Sequence, residues 1–293
     1  MPAEQSSDRG RSEQPGAAGS PGMAGSANGS VRPVASGAAL PGAGTSSAGI
    51  RLKGVGKRFG NVVALRGIDF EIERHSRIGI VGPSGGGKST LLHIVSGLME
   101  PDAGEVDVEG ATSAKDRLAR CAMMPQRDLL LPWRTALDNA IIALENRGVS
   151  RKEARAQTRP YFERFGLDQF ENVRPAQLSG GMRQRVSFMR TLVAGKDVLL
   201  LDEPFGALDS ITRAQMQEWL LRALSELPRT VLLVTHDVEE ALLLSRTVVV
   251  MSARPGRVVR TLAADFPTDA SRREIVTSRE FVDLKEQALE AIG

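Results

Sequence analysis

Apolar and polar positions follow two periods along the chain, and the change of period marks the elements. Between Arg51 and Glu73 apolar residues alternate with polar ones, as in Val62, Ala64, Ile68, Phe70 and Ile72, which predicts paired strands. Ile78–Val81, Val198–Leu201 and Val231–Val234 are instead apolar almost throughout; the first ends in a Gly-rich turn, and the other two stop abruptly at polar residues. Runs of this kind suit central parallel strands covered on both faces. After the first of them, Leu91, Leu92, Ile94, Val95 and Leu98 recur at helical spacing. Roughly 134–175 is charged and helix-favouring, as in Arg151–Phe165, and predicts a helical lobe that interrupts the sheet. The pattern contains no internal repeat.

Composition changes this picture at one end. In residues 1–49, Gly, Ala, Ser and Pro supply 34 of 49 positions and aromatic residues none. Such a stretch buries too little apolar surface to offset its ordering entropy, so a disordered tail is expected over 1–49. The other 244 residues are of ordinary globular composition. Lys plus Arg is 38 and Asp plus Glu 35, a formal charge of only +3, which makes a weak case for nucleic-acid binding. The lone Cys121 excludes an internal disulfide and a cysteine-cluster metal site, and fits a reducing cytosol. No apolar run approaches the roughly 18 residues of a membrane-spanning helix.

Four segments carry chemistry. Gly82-Pro83-Ser84-Gly85-Gly86-Gly87-Lys88-Ser89, with Thr90 opening the next helix, has the spacing of a phosphate-binding loop between a strand and a helix. Its glycines let backbone N–H groups close on a triphosphate, and the helix adds the positive end of its dipole. Lys88 is expected to reach the β and γ phosphates, and the Ser89 hydroxyl to ligate Mg²⁺. Asp202 and Glu203 end an apolar strand, at the edge where open α/β sheets bind ligands. Asp202 is placed to hold Mg²⁺ and Glu203 to polarise a water attacking the γ-phosphorus. His236 ends the next apolar strand and is expected at the γ-phosphate, whereas His75 and His93 have no such placement. Ser179-Gly180-Gly181 opens a helical stretch and offers a hydroxyl, bare amides and a helix N-terminus to an anion.

The segment Leu178-Ser179-Gly180-Gly181-Met182-Arg183-Gln184-Arg185 resembles the signature sequence of ABC-type ATPases, with Met182 where Gln is usual. The resemblance covers essentially all of 50–260. It implies an α/β fold: a P-loop NTPase (RecA-like) core with an antiparallel β subdomain and a helical subdomain at about 127–180. The expected domain is 50–283, with 284–293 a short C-terminal end. By the same resemblance Gln126 belongs to a glutamine loop linking Mg²⁺ and the γ-phosphate to a transmembrane partner. Asp209, in Gly206-Ala207-Leu208-Asp209, lies in a loop contacting the opposite subunit. Phe59 is similar to the aromatic that stacks on adenine, its competing placement being the core. Ser179, Gly180 and Gly181 would close on the ATP of the opposite subunit in a head-to-tail homodimer.

Leu131–Thr135, Leu178–Arg185 and Met251–Gly256 together are similar to the ATP-binding subunits of nitrate, sulfonate and taurine importers. That implies ATP and Mg²⁺ as cofactors, a separate transmembrane permease, a solute-binding protein acting indirectly, and a place on the cytoplasmic face of the membrane. The apolar cluster Leu129–Trp133 is either a permease docking surface or buried in the lobe. Two other readings stand beside the transporter. A soluble ATPase acting on DNA or ribosomes would usually carry a long coiled-coil insertion or a second ATPase domain. A non-hydrolysing scaffold would not need Glu203 and His236.

Overall fold

The computed structural model describes residues 48–206, 208–225, 229–267 and 270–293. Residues 1–47 of the tail expected over 1–49, and Ala207 of the Gly206–Asp209 loop, lie outside these residues. Strand β1 (Ala48–Phe59) takes up the last two residues of the expected tail. Ala48 is buried opposite Glu73, and a Cβ on Gly49 would lie 2.8 Å from the Thr230 hydroxyl, so these small residues fit a crowded strand start.

Strands β1, β2 (Val62–Glu73) and β4 (Ala103–Val108) form an antiparallel sheet in the order β2-β1-β4. The second sheet has six strands: β3 (Arg77–Val81), β5 (Cys121–Met124), β6 (Val198–Asp202), β7 (Thr230–Thr235), β8 (Thr247–Met251) and β9 (Val258–Ala263). Their order is β5-β6-β7-β3-β8-β9, parallel except for β9. The continuous apolar runs are its central strands. Every residue of β6, β7 and β8 is buried, which is what coverage on both faces requires.

Helix α1 (Lys88–Ser96) packs between the two sheets, where Leu91, Leu92, Ile94 and Val95 are fully buried. Helix α2 (Ala114–Arg120) leads into β5. The lobe inserted between β5 and β6 holds α3 (Ala136–Ala140), α4 (Ile142–Asn146), α5 (Arg151–Arg164) and α6 (Gly180–Val193). It extends past the expected boundary at 180, because Val186, Phe188 and Met189 of α6 belong to the same core as Leu137, Ile141 and Phe162. Buried Asp138 anchors the lobe through Arg151 and Arg155.

Helices α7 (Ser210–Ser225) and α8 (Val238–Leu244) follow the ends of β6 and β7. Helices α9 (Arg272–Thr277) and α10 (Arg279–Ile292) close a third core against α8 and β9. The expected boundary at 283/284 falls inside α10, a single amphipathic helix that buries Phe281 and Ala288 on one face.

Candidate active site

The phosphate loop joins β3 to α1. Gly85 and Gly87 have φ of 78° and 88°, the left-handed region open to glycine without strain. Close packing explains other glycines. The segment after β8 lies directly against the loop, so a Cβ on Gly82 would sit 2.4 Å from the Met251 carbonyl. A Cβ on Gly256 would sit 2.1 Å from the Gly86 carbonyl. Gly256 is also stitched to β2, through Arg66 N to Gly256 O at 3.0 Å and Gly256 N to Ala64 O at 2.9 Å. Gly256→Ala is therefore expected to displace the loop, at a cost of about 1–3 kcal/mol in stability with weaker ATP binding. Thermal melting and nucleotide titration of the variant check this.

Lys88 is buried and donates to the carbonyls of Gly82 (2.8 Å) and Pro83 (3.0 Å). Burial lowers its pKa, against the opposing pull of Glu203 and Asp202. The Ser89 hydroxyl donates to Asp202 Oδ1 at 3.2 Å. Asp202 is 7% exposed, and burial raises its pKa while the Ser89 bond opposes the rise. A hydroxyl and a carboxylate converging at the loop form an oxygen donor set suited to Mg²⁺. The glycine cradle, too narrow for a Cβ, and the ammonium held by loop carbonyls suit a phosphate chain.

Next in line, Glu203 adopts φ 43°, unusual for a residue with a side chain and a mark of strain at functional positions. Its backbone N–H is held by Val234 O of the neighbouring strand at 2.8 Å. Its carboxylate meets two residues. Gln126 Nε2 donates to Oε2 at 2.8 Å, and His236 Nδ1 lies 3.3 Å from Oε1. The ends of β5, β6 and β7 thus bring Gln126, Glu203 and His236 into one chain.

A cavity of about 550 Å³ opens over this edge, lined by Ser84, Gly85, Gly87, Lys88, Ser89 and Thr90 of the loop. Gln126, Glu203, Phe59, Val62 and Ala64 line it as well. Phe59 is 47% exposed, so it is not a core aromatic but a ring at the rim, with Lys57 Nζ 5.9 Å from its centroid. Arg254 also lines the cavity, with Nε 3.4 Å from Gly85 O. No sequence signal assigned it a place there, because the turn that delivers it depends on the fit of Gly256 against Gly86.

Ser179, Gly180 and Gly181 are not among the residues lining this cavity. Ser179 is exposed at the N-cap of α6, where its hydroxyl accepts from Met182 N at 3.2 Å. Gly181 packs against α7, a Cβ there lying 3.1 Å from Thr212 Cγ2. Asp209 caps α7, accepting from Ile211 N and Thr212 N at 3.2 and 3.0 Å, and these bonds, led by those from Thr212, lower its pKa.

A further link is visible only in three dimensions. Arg183, Ser187 and Arg190, at helical spacing on α6, grip the stretch just after Gln126. Arg183 Nε lies 3.0 Å from Asp128 Oδ2, and Ser187 Oγ donates to Asp128 O at 3.3 Å. Arg190 donates to Asp128 O at 2.7 Å and Leu129 O at 2.9 Å. The helix led by Ser179 therefore holds the glutamine loop directly. Beyond it the apolar cluster is split: Leu130 is buried, while Leu129 and Trp133 are 60% and 70% exposed.

Beneath His236, Glu240 is buried with Oε1 unpartnered among the described residues. Burial, aided by Asp237, pushes its pKa from 4.5 up to about 8, against the Thr235 hydroxyl. The neutral form is thus favoured in the folded chain. Its stabilisation is full below the unfolded value and is lost as pH rises towards 8. Melting temperature between pH 5 and pH 8 is expected to fall more for the natural chain than for Glu240→Gln.

A parallel sheet with a phosphate loop at its ligand edge, and a helical lobe carrying a second glycine-led helix, defines a P-loop ATPase of the cassette type. Residues 65–206 match the ABC transporter family. The taurine import ATP-binding protein TauB of Rhizobium johnstonii is 40% identical over 235 residues, covering 78% of this chain and 89% of that one. The aliphatic sulfonates import ATP-binding protein SsuB 1 of Rhodococcus jostii is 48% identical over 208 residues, covering 71% and 81%. Among solved structures, the dimeric ATP-binding cassette MJ0796 in a post-hydrolysis state, bound to ADP and Pi, has a TM-score of 0.65. It is 29% identical, with 74% of this chain and 100% of that one covered. The chain belongs to the ABC transporter family, as an ATP-binding and ATP-hydrolysing subunit.

Proposed function

We propose that this chain powers uptake of a small solute of the nitrate, sulfonate or taurine type through a separate permease, working as a head-to-tail homodimer at the cytoplasmic face of the membrane. The observation that carries the reading is the Gln126–Glu203–His236 chain beside the phosphate loop, with Ser179 exposed and outside that cavity. ATP lies along Gly82–Thr90 with its base on Phe59, and Ser179, Gly180 and Gly181 of a second copy cover its terminal phosphate. Asp209 faces the same dimer interface. Ser89, Asp202 and Gln126 would hold Mg²⁺, which would neutralise charge on the terminal phosphates.

Glu203 accepts the proton of the attacking water. Gln126 and His236 orient its carboxylate, and Lys88 offsets negative charge on the phosphoryl group as it leaves. The grip of α6 on Asp128 and Leu129 joins the nucleotide edge to the exposed Leu129 and Trp133, the surface that docks on the permease. A solute-binding protein acts through that permease and makes no contact with this chain.

Among the described residues there is no long arm of the kind usual for the nucleic-acid or ribosome reading. The longest helix among the described residues is α7, with 16 residues. Among the described residues no helix is long and apolar enough to cross a membrane, so the transport path belongs to other subunits in this reading. Deleting the gene is expected to abolish growth on at least one of taurine, an alkanesulfonate or nitrate as sole source of sulfur or nitrogen. The natural gene, but not Glu203→Gln, should restore it. Unchanged growth and uptake on all three would overturn the assignment.

A further inference from the structure

The turn between β8 and β9, residues 252–257, lies outside the Gln126–Glu203–His236 chain and is pressed directly against the phosphate loop. Its two ends pair: Ser252 N donates to Arg257 O at 3.0 Å, and Ser252 Oγ accepts from Arg257 N at 3.1 Å. Ser252 Oγ also lies 3.0 Å from Pro255 O, which ties down the middle of the turn. Gly256 stitches it to β2, and a Cβ on Gly86 would lie 2.8 Å from Ser252 O. The backbone that carries Arg254 is therefore fixed on the loop by contacts its own side chain does not make.

That side chain is exposed and lines the nucleotide cavity. Arg254 Nε donates to Gly85 O at a long 3.4 Å, and Nη2 lies 3.5 Å from where a Cβ on Gly85 would sit. Among the described residues no carboxylate pairs with Arg254, and its Nη1 and Nη2 groups have no hydrogen-bond partner. These donors are open to the cavity. Lys88 bonds the carbonyls of Gly82 and Pro83, so the two cations attach to the loop on either side of Ser84 in the chain. Glu203 is the one acid among the described lining residues, and its formal charge cancels that of Lys88. Arg254 thus supplies the surplus positive charge of the wall. A planar guanidinium offering paired N–H donors matches phosphate oxygens.

We propose that Arg254 is a nucleotide-binding residue, donating to the phosphate chain of ATP from the turn after β8. The inference rests on ATP lying along Gly82–Thr90 and is independent of the transported solute and of the permease. Because the contact is made at an exposed rim, it acts through charge that salt screens, and it bears on affinity.

The test is equilibrium titration of the full chain with ATP at low and at high salt, with divalent metal removed by EDTA so that ATP is not consumed. Arg254→Gln is expected to weaken binding roughly fivefold or more at low salt and to flatten the salt dependence. Its melting temperature should be that of the natural chain, because Ser252 and the backbone hold the turn. Arg254→Lys, which keeps the charge, should bind within about threefold of the natural chain. Arg257→Gln removes an exposed cation of the same turn that does not line the cavity, and should bind ATP normally. Natural affinity in Arg254→Gln overturns the proposal. So does an equal loss in Arg257→Gln, or a loss that Arg254→Lys fails to restore and that comes with a lower melting temperature. Lys88→Ala in the same titration separates this inference from the reading beneath it. Unaltered affinity there removes the phosphate loop itself, whereas affinity lost in Lys88→Ala and kept in Arg254→Gln removes Arg254 alone.

Discussion

Glu203→Gln is expected to keep ATP bound while turnover falls by roughly 10²–10⁴-fold, the usual contribution of a positioned general base. The substitution preserves shape, and the amide oxygen can still accept from Gln126, which now donates to Oε2 at 2.8 Å. It removes the ability to take a proton from water. The φ of 43° at Glu203 and its anchor to Val234 O belong to the backbone, so both survive the change. Binding and chemistry should therefore separate cleanly, with the closed dimer accumulating in the presence of ATP. Phosphate release and equilibrium nucleotide binding measured on one preparation give both numbers. Turnover at the natural rate would remove Glu203 from this role.

Lys88→Ala acts at the earlier step. Its ammonium is buried at the head of α1 and already desolvated, so a phosphate meets a charge that needs little reorganisation. Charge-assisted hydrogen bonds contribute about 1.5–3 kcal/mol each, so ATP affinity should fall by roughly 10- to 200-fold. Fluorescent-nucleotide titration reads the change, and unaltered affinity would argue against the phosphate-loop assignment.

Much of this site could be read from the chain because its chemistry is local. Gly82–Thr90 is contiguous, and Asp202, Glu203 and His236 each follow an apolar run that had to be a buried strand. Parallel strands bring their C-terminal ends to one edge, so sequence order alone brought Glu203 and His236 together. Phe59 was open between core and rim, since exposure is decided by what packs over a strand end. The grip of Arg183, Ser187 and Arg190 on Asp128 could not be read, because neither segment carries a pattern that names the other. Arg254 escaped for a similar reason: its approach to Gly85 rests on Gly256 fitting against Gly86, a contact between distant glycines. The boundaries near 180 and 283 slipped because α6 and α10 run through them, each held by an apolar face that continues past the expected cut.

The most direct measurement places cysteines at Ser84 and Ser179 in a Cys121→Ser, Glu203→Gln chain and treats it, with and without ATP, with a bis-maleimide long enough to span an intervening phosphate. Those two positions lie in the phosphate loop and at the tip of α6, so the answer depends only on which copy supplies the second half. A covalent dimer that forms with ATP and is lost in Lys88→Ala is the predicted product. An intrachain bridge, or monomer alone under every nucleotide condition, would contradict a site shared between two molecules.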